Sequence, residues 1–199
     1  MIIFKNRNIE EALQSILNNN QSVNVDSRVA VDFLNYLKIN NIDLTISDEE
    51  FINLTTASAI YNNRKNITQA DLFTILHLDL KPELIESLTN CIQETMFFEI
   101  NQNINNNSDF KDVLIEKLNS NKISESEIKD LEKILIWVPQ QNKINDDLLE
   151  NLKSNPQLCS KFDQEMILDL VRSWVMEKNK ILKFQNYSFG LILEKIKAK

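Results

Sequence analysis

The side chains able to do chemistry are few and far apart. His77, in "TILHLDL", is the only imidazole of the 199-residue chain and would be the natural general base near neutral pH. Thiols occur at Cys91 and Cys159, adjacent carboxylates at Glu49–Glu50 and Asp146–Asp147, and a basic pair at Arg64 and Lys65. The segment "RSWVMEKNKILKFQNYSFGLILEKIKAK" interleaves Lys178, Lys180, Lys183, Lys195, Lys197 and Lys199 with Trp174, Phe184, Tyr187 and Phe189. Basic residues among aromatics suit a nucleic acid or a membrane surface, and exposed aromatics suit a protein groove.

Most catalytic readings fail on spacing. A zinc site needs three or four converging His, Cys or carboxylate ligands, and one His with two distant Cys offers no such set. A phosphate-cradling loop needs several glycines so that backbone N–H groups can approach the anion, and the chain has only Gly190. The paired acids point to different sides of a helix and read as first-turn acids rather than an acid–base couple. His77, at the end of a short apolar helix, reads as a packed or helix-terminal residue. Neither Ser nor Cys sits in a local nucleophile motif. Cys91 and Cys159 read as reduced, buried thiols.

The elements that must position these residues are helices. With one glycine and three prolines, Pro82, Pro139 and Pro156, the composition lacks what tight β-turns demand. Helix starts are marked by a Ser or Thr followed three residues later by an acid, as in "SDEE" from Ser47, "TQAD" from Thr68 and "SESE" from Ser124. Apolar spacing between such caps predicts helices near 8–19, 27–39, 47–62, 68–77, 82–104, 108–119, 125–137, 145–153, 163–183 and 188–198. In the fifth, Leu84, Leu88, Cys91, Ile92 and Met96 form one core face. The asparagine-rich stretch "INQNINNNSD", residues 100–109, reads as the joint between two units, 1–104 and 105–199, with a shorter break from Pro139 to Asn145. No stretch is apolar enough for a signal peptide or a membrane span, so a cytoplasmic protein is expected; secretion without a cleaved signal is compatible with the same residues.

Charge narrows the partners. Residues 1–95 hold seven Lys/Arg against thirteen Asp/Glu, −6 of the formal −7, and an acidic half is a poor surface for polyphosphate. Within it, "TTASAIYNNRKNITQADLFTIL", residues 55–76, reads as two helices and a polar joint. A DNA-reading second helix would present Arg, Lys, Asn or Gln to base edges, whereas this one offers Gln69 and Asp71 and then Leu72, Phe73, Ile75 and Leu76, which call for burial. Arg64 reads better as a helix-terminal residue bonding the last carbonyls than as a basic knuckle for an acidic partner.

The same stretch, with Ala57-Ser58-Ala59, Ile60-Tyr61, Arg64, Ile67 and Asp71-Leu72, resembles the closing segment of the small helical lid of AAA+ ATPases, particularly the MoxR branch and its RavA-like members. The likeness extends upstream through "IEEALQSILNNNQSVNVDSRVAVDFLNYL", with Val23 and Val25 at its joint, and downstream through "LKPELIESLTNCIQETM", covering roughly residues 8–97. It implies a helical lid. The family's nucleotide-binding core has no counterpart in these residues, and where the lid would place an arginine toward phosphate this chain has Glu49 and Glu50, which would repel a triphosphate.

The expectation is an all-α protein of two packed helical units, the first lid-like, acting as a non-catalytic adaptor through protein–protein contacts. No catalytic residue, metal ligand or cofactor is assigned. The partner-binding candidates are Glu49 and Glu50 on the lid-like unit and Trp174, Phe184, Tyr187 and Phe189 in the tail. Two alternatives stand beside it: a lid acting in trans on a separate ATPase subunit, and a nucleic-acid binder using the basic tail, which would lose affinity steeply with salt. For the tail, a final amphipathic helix pair that closes a core through Trp174, Ile181, Leu182, Leu191, Ile192 and Ile196 is the favoured structural reading.

Overall fold

The computed structural model describes residues 7–19, 24–120, 122–153 and 161–198. Among these, the chain is all-α. Its helices are α1 (Arg7–Asn19), α2 (Arg28–Ile39), α3 (Asp48–Tyr61), α4 (Gln69–Leu72) continued by a 3-10 turn (Phe73–His77), α5 (Pro82–Met96), α6 (Phe98–Ser120), α7 (Glu125–Lys153) and α8 (Lys161–Lys197). No strand forms among the described residues, only an isolated bridge between Asp26 and Asn66. Two compact units result, Met1–Met96 with Leu152–Asp169 and Phe97–Asn151 with Leu170–Lys199.

The caps read from sequence start their helices as expected. Ser47 and Glu50 form a reciprocal capping box on α3, Thr68 and Asp71 form one on α4, and Ser124 pairs with Glu127 in the same way ahead of α7. Stopping a helix without glycine falls to asparagine. Asn41 and Asn63 each adopt φ 55°, the left-handed conformation that Asn tolerates better than most residues. Around Asn63 the N–H of Asn63 bonds the Ile60 carbonyl and that of Arg64 bonds the Ala59 carbonyl, both at 2.9 Å; the N–H groups of Asn41 and Ile42 close α2 on Lys38 and Leu37 in the same pattern. These two bonds per end satisfy carbonyls that the helix leaves without partners.

In the first unit, α2 and α3 pack through Phe33 and Phe51, whose ring centroids lie 5.8 Å apart, and the core continues through Leu37, Leu54, Ala57, Leu72, Phe73, Ile75, Leu88 and Ile92. The small residues Ala57 and Ala59, both fully buried, lie on opposite sides of α3 and let neighbouring chain approach it closely on each. Asp26 ties the entry of α2 to the α3–α4 joint: its N–H bonds the Lys65 carbonyl and its carbonyl accepts from the Ile67 N–H, both at 2.9 Å.

The second unit is a bundle of α6, α7 and α8 with a near-heptad spacing of buried residues. Leu131, Val138 and Asn145 recur every seven residues on α7, as do Val175, Leu182 and Phe189 on α8. Leu114, Leu131, Phe189 and Ile192 form one apolar cluster, against which Phe110, Ile134, Leu135, Leu193 and Ile196 pack. Beyond it the interior turns polar. Asn145 Nδ2 donates to Asn179 Oδ1 at 2.8 Å, Asn179 Nδ2 to Asp146 Oδ1 at 3.1 Å, and Gln185 Nε2 to the Ile104 carbonyl at 2.8 Å and to Ser108 Oγ at 3.1 Å. Because a carboxamide is satisfied at only one sliding position, these bonds pin the register of α7 and α6 against α8.

Several expectations change. The asparagine-rich stretch 100–109 is not a joint but the interior of α6, because Ile100, Ile104, Asn107 and Leu114 hold a helical spacing in which an asparagine takes a core position. The expected 82–104 helix instead ends at Met96, and the two compact units divide between Met96 and Phe97 rather than at 104. Pro139 does not break α7: its ring lies on the exposed side, where the carbonyl it leaves without an N–H partner can turn to water. Consequently Asp146 and Asp147 lie in mid-helix rather than in a first turn, and α8 likewise runs through 183–188 without interruption.

Candidate functional site

The joint at 55–76 is held by one buried carboxylate. Asp71 is fully buried; its Oδ1 accepts from Ser58 Oγ and Arg64 Nη2, each at 2.6 Å, and its Oδ2 accepts from the Thr68 N–H at 2.8 Å and Thr68 Oγ1 at 3.1 Å. Arg64 also donates to Thr68 Oγ1. Four donors on two oxygens leave this carboxylate no capacity to take a proton from a substrate or attack one. The network clamps α3 to α4. Arg64 is thus structural, yet through Asp71 and not through the carbonyls of its own helix; Asn62 Nδ2 caps that end instead, bonding the Ser58 carbonyl at 2.9 Å.

The first-turn acids of α3 divide. The Glu50 carboxylate accepts from the Ser47 N–H at 2.8 Å and Ser47 Oγ at 3.0 Å, and those bonds hold its pKa below the usual carboxylate range. Asp48 pairs with Lys38 at 2.5 Å. Glu49 is exposed and faces outward. Of the expected pair, Glu50 is therefore half-buried and engaged in its own cap.

The tail aromatics divide more sharply. Trp174 is only 7% exposed and Phe189 fully buried, so these two expected partner contacts are core residues; Phe189 stacks at 6.4 Å from Phe110. Phe184 and Tyr187 are each 66% exposed, and Leu191, which the sequence placed in the core, is 41% exposed. Spaced i, i+3 and i+7, these three form one outward stripe along α8, with exposed Lys180 and Lys183 at one end and Glu194, Lys195 and Lys197 at the other. The stripe was legible only to a reading that already had α8 as one unbroken helix.

The remaining reactive groups are packed away. Cys91 is a free, buried thiol whose pKa is raised by burial and by the Glu94 carboxylate, so it is a poor thiolate nucleophile. Cys159 and Val23 lie outside the described residues. His77 is buried at the end of its 3-10 turn. Burial, with a hydrogen bond to the Glu94 carboxylate, pushes the Tyr36 phenol up to about 12. Among the described residues no group of three or more His, Cys, Asp or Glu is placed to hold a metal ion, and no helix is long and apolar enough to cross a membrane. In comparisons with known proteins, no family model, no curated protein and no solved structure matches this chain.

Proposed function

We propose that the chain works as a non-catalytic interaction protein, an adaptor or regulatory subunit whose docking surface is the outer face of α8. The observation that carries this reading is the stripe of Phe184, Tyr187 and Leu191, exposed along one helix face between lysines. Large aromatics left in water cost hydration free energy that a protein surface recovers on docking, and such anchors, rimmed by charge, concentrate binding energy. Helix-spaced anchors at i, i+3 and i+7 are the pattern by which one helix docks on another.

The test is affinity capture of the tagged full chain from its own host's lysate, with and without ATP, beside a Phe184→Ala/Tyr187→Ala variant of unchanged helicity. The reading expects at least one protein retained by the wild type and lost from the variant. Retention that depends on ATP would bring in an ATPase subunit. Identical sets from both proteins would refute the stripe as a docking surface.

A further inference from the structure

We infer that the outer face of α8 pairs with the same face of a second copy of this chain, antiparallel, about a two-fold axis through Tyr187. This rests on the reading of the stripe as a protein-docking surface and names its occupant. The argument is the order of side chains along the exposed face. Along its middle line it runs Lys180, Phe184, Tyr187, Leu191, Glu194, a cation and an anion at the two ends of that line with the aromatic residue at the centre, while exposed Lys183 and Lys195 flank the line. Lys180 and Glu194 lie seven residues to either side of Tyr187, so the face spans about 21 Å and is complementary to its own reverse.

Turning a second helix end for end sets Lys180 against the partner's Glu194 and Glu194 against the partner's Lys180. Phe184 then lies against the partner's Leu191, and the two tyrosines meet on the axis. A parallel pairing would instead oppose Lys180 to the partner's Lys180, which like-charge repulsion disfavours. A two-fold contact uses each ion pair and each aromatic–aliphatic contact twice, as isologous interfaces do.

Gly190 is an independent pointer. The chain's only glycine sits inside α8, where glycine weakens a helix relative to alanine, and a Cβ placed there would meet no atom within 4 Å. The fold of one copy does not call for a glycine at this position. A second copy would, because bare backbone beside Tyr187 and Leu191 leaves room for the ring of the partner's Phe184 and the stem of the partner's Lys183.

The experiment is sedimentation equilibrium of the full chain over a broad concentration series, with far-UV circular dichroism as the check on folding. A reversible monomer–dimer equilibrium is expected, weakened by added salt. Phe184→Ala/Tyr187→Ala should weaken it by roughly tenfold or more. Lys180→Glu alone should weaken it, and Lys180→Glu combined with Glu194→Lys should restore it, which only a reciprocal pairing of those residues does. Gly190→Ala should raise the melting temperature of the dilute monomer and weaken the dimer. A dimer that survives the aromatic double variant, or a charge swap that restores nothing, overturns the pairing. A wild type that stays monomeric while retaining another protein through Phe184 and Tyr187 overturns self-pairing and leaves the docking surface standing. A monomer with no stripe-dependent protein capture, including one that binds phosphatidylserine vesicles through the stripe, overturns both.

Discussion

Removing Arg64 should cost the first unit more than neutralising its partner, because the two ends of the Arg64–Asp71 pair differ in burial. The Asp71 side chain is fully buried, whereas that of Arg64 keeps 22% of its surface in solvent. Arg64→Met leaves a carboxylate in the interior with only the donors of Ser58 and Thr68, and breaking a buried pair in this way costs about 3–5 kcal/mol. Asp71→Asn keeps a polar group of the same shape, leaves Arg64 a route to water, and loses charge-assisted hydrogen bonds, for about 1–3 kcal/mol. The double variant leaves no buried charge, so its cost should fall below the sum of the singles by on the order of 2 kcal/mol. Urea unfolding followed by far-UV circular dichroism reads all three variants. Fluorescence reports the second unit separately, since Trp137 and Trp174 both lie there. Additivity within about 0.5 kcal/mol, or a loss below about 1 kcal/mol for Arg64→Met, would show an exposed-type salt bridge and refute the clamp.

Three further outcomes follow from the same geometry. Asn63→Ala should destabilise the first unit by about 1 kcal/mol in the urea experiment while Asn63→Gly changes it by a few tenths at most, because the left-handed φ is tolerated by Asn and Gly but not by a Cβ that cannot hydrogen-bond locally. Pro139→Ala should raise the melting temperature of the second unit, because a proline inside a helix costs up to about 3 kcal/mol and this one is exposed, with no packing to lose. Lys117, with the capping bonds from Ser124, holds the Glu127 pKa at about 2. A carboxylate depressed in the folded state stabilises it above the ordinary glutamate pKa, and that contribution fades as pH falls toward 2. The acid limb of the melting curve should therefore flatten in Glu127→Gln, and an unchanged acid limb would contradict the assignment.

What the sequence made legible was local, and what it hid was continuity. Capping boxes at Ser47, Thr68 and Ser124 are four-residue signals, and each marks a real helix start. The helix ends were harder to read, because asparagine marks them only when its backbone turns left-handed, as at Asn41 and Asn63, and the same residue fills a core position at Asn107 and Asn145. A chain that buries asparagine and glutamine interrupts its own apolar stripe, so α7 reads as 125–137 and 145–153, α8 as 163–183 and 188–198, and α6 is divided between the end of an 82–104 helix and 108–119. That error carried over to the tail. Once α8 is one helix, the phase of its buried residues puts Trp174 and Phe189 inward and Phe184, Tyr187 and Leu191 outward, a separation that composition alone does not make. Ser58 and Asp71, thirteen residues apart, were visible as small and capping residues, but their meeting in the core depends on the tertiary packing of α3 on α4.

The most direct test of the central claim places a photo-crosslinking phenylalanine analogue at position 187 of the full chain in its own cells, with the same analogue at the exposed α7 position 132 as the control. Irradiation should yield protein adducts from position 187 that position 132 does not give, whether with another copy of the chain or with a different protein. Adducts confined to lipid or nucleic acid, or a pattern no different from the control, would contradict a protein-docking role for α8.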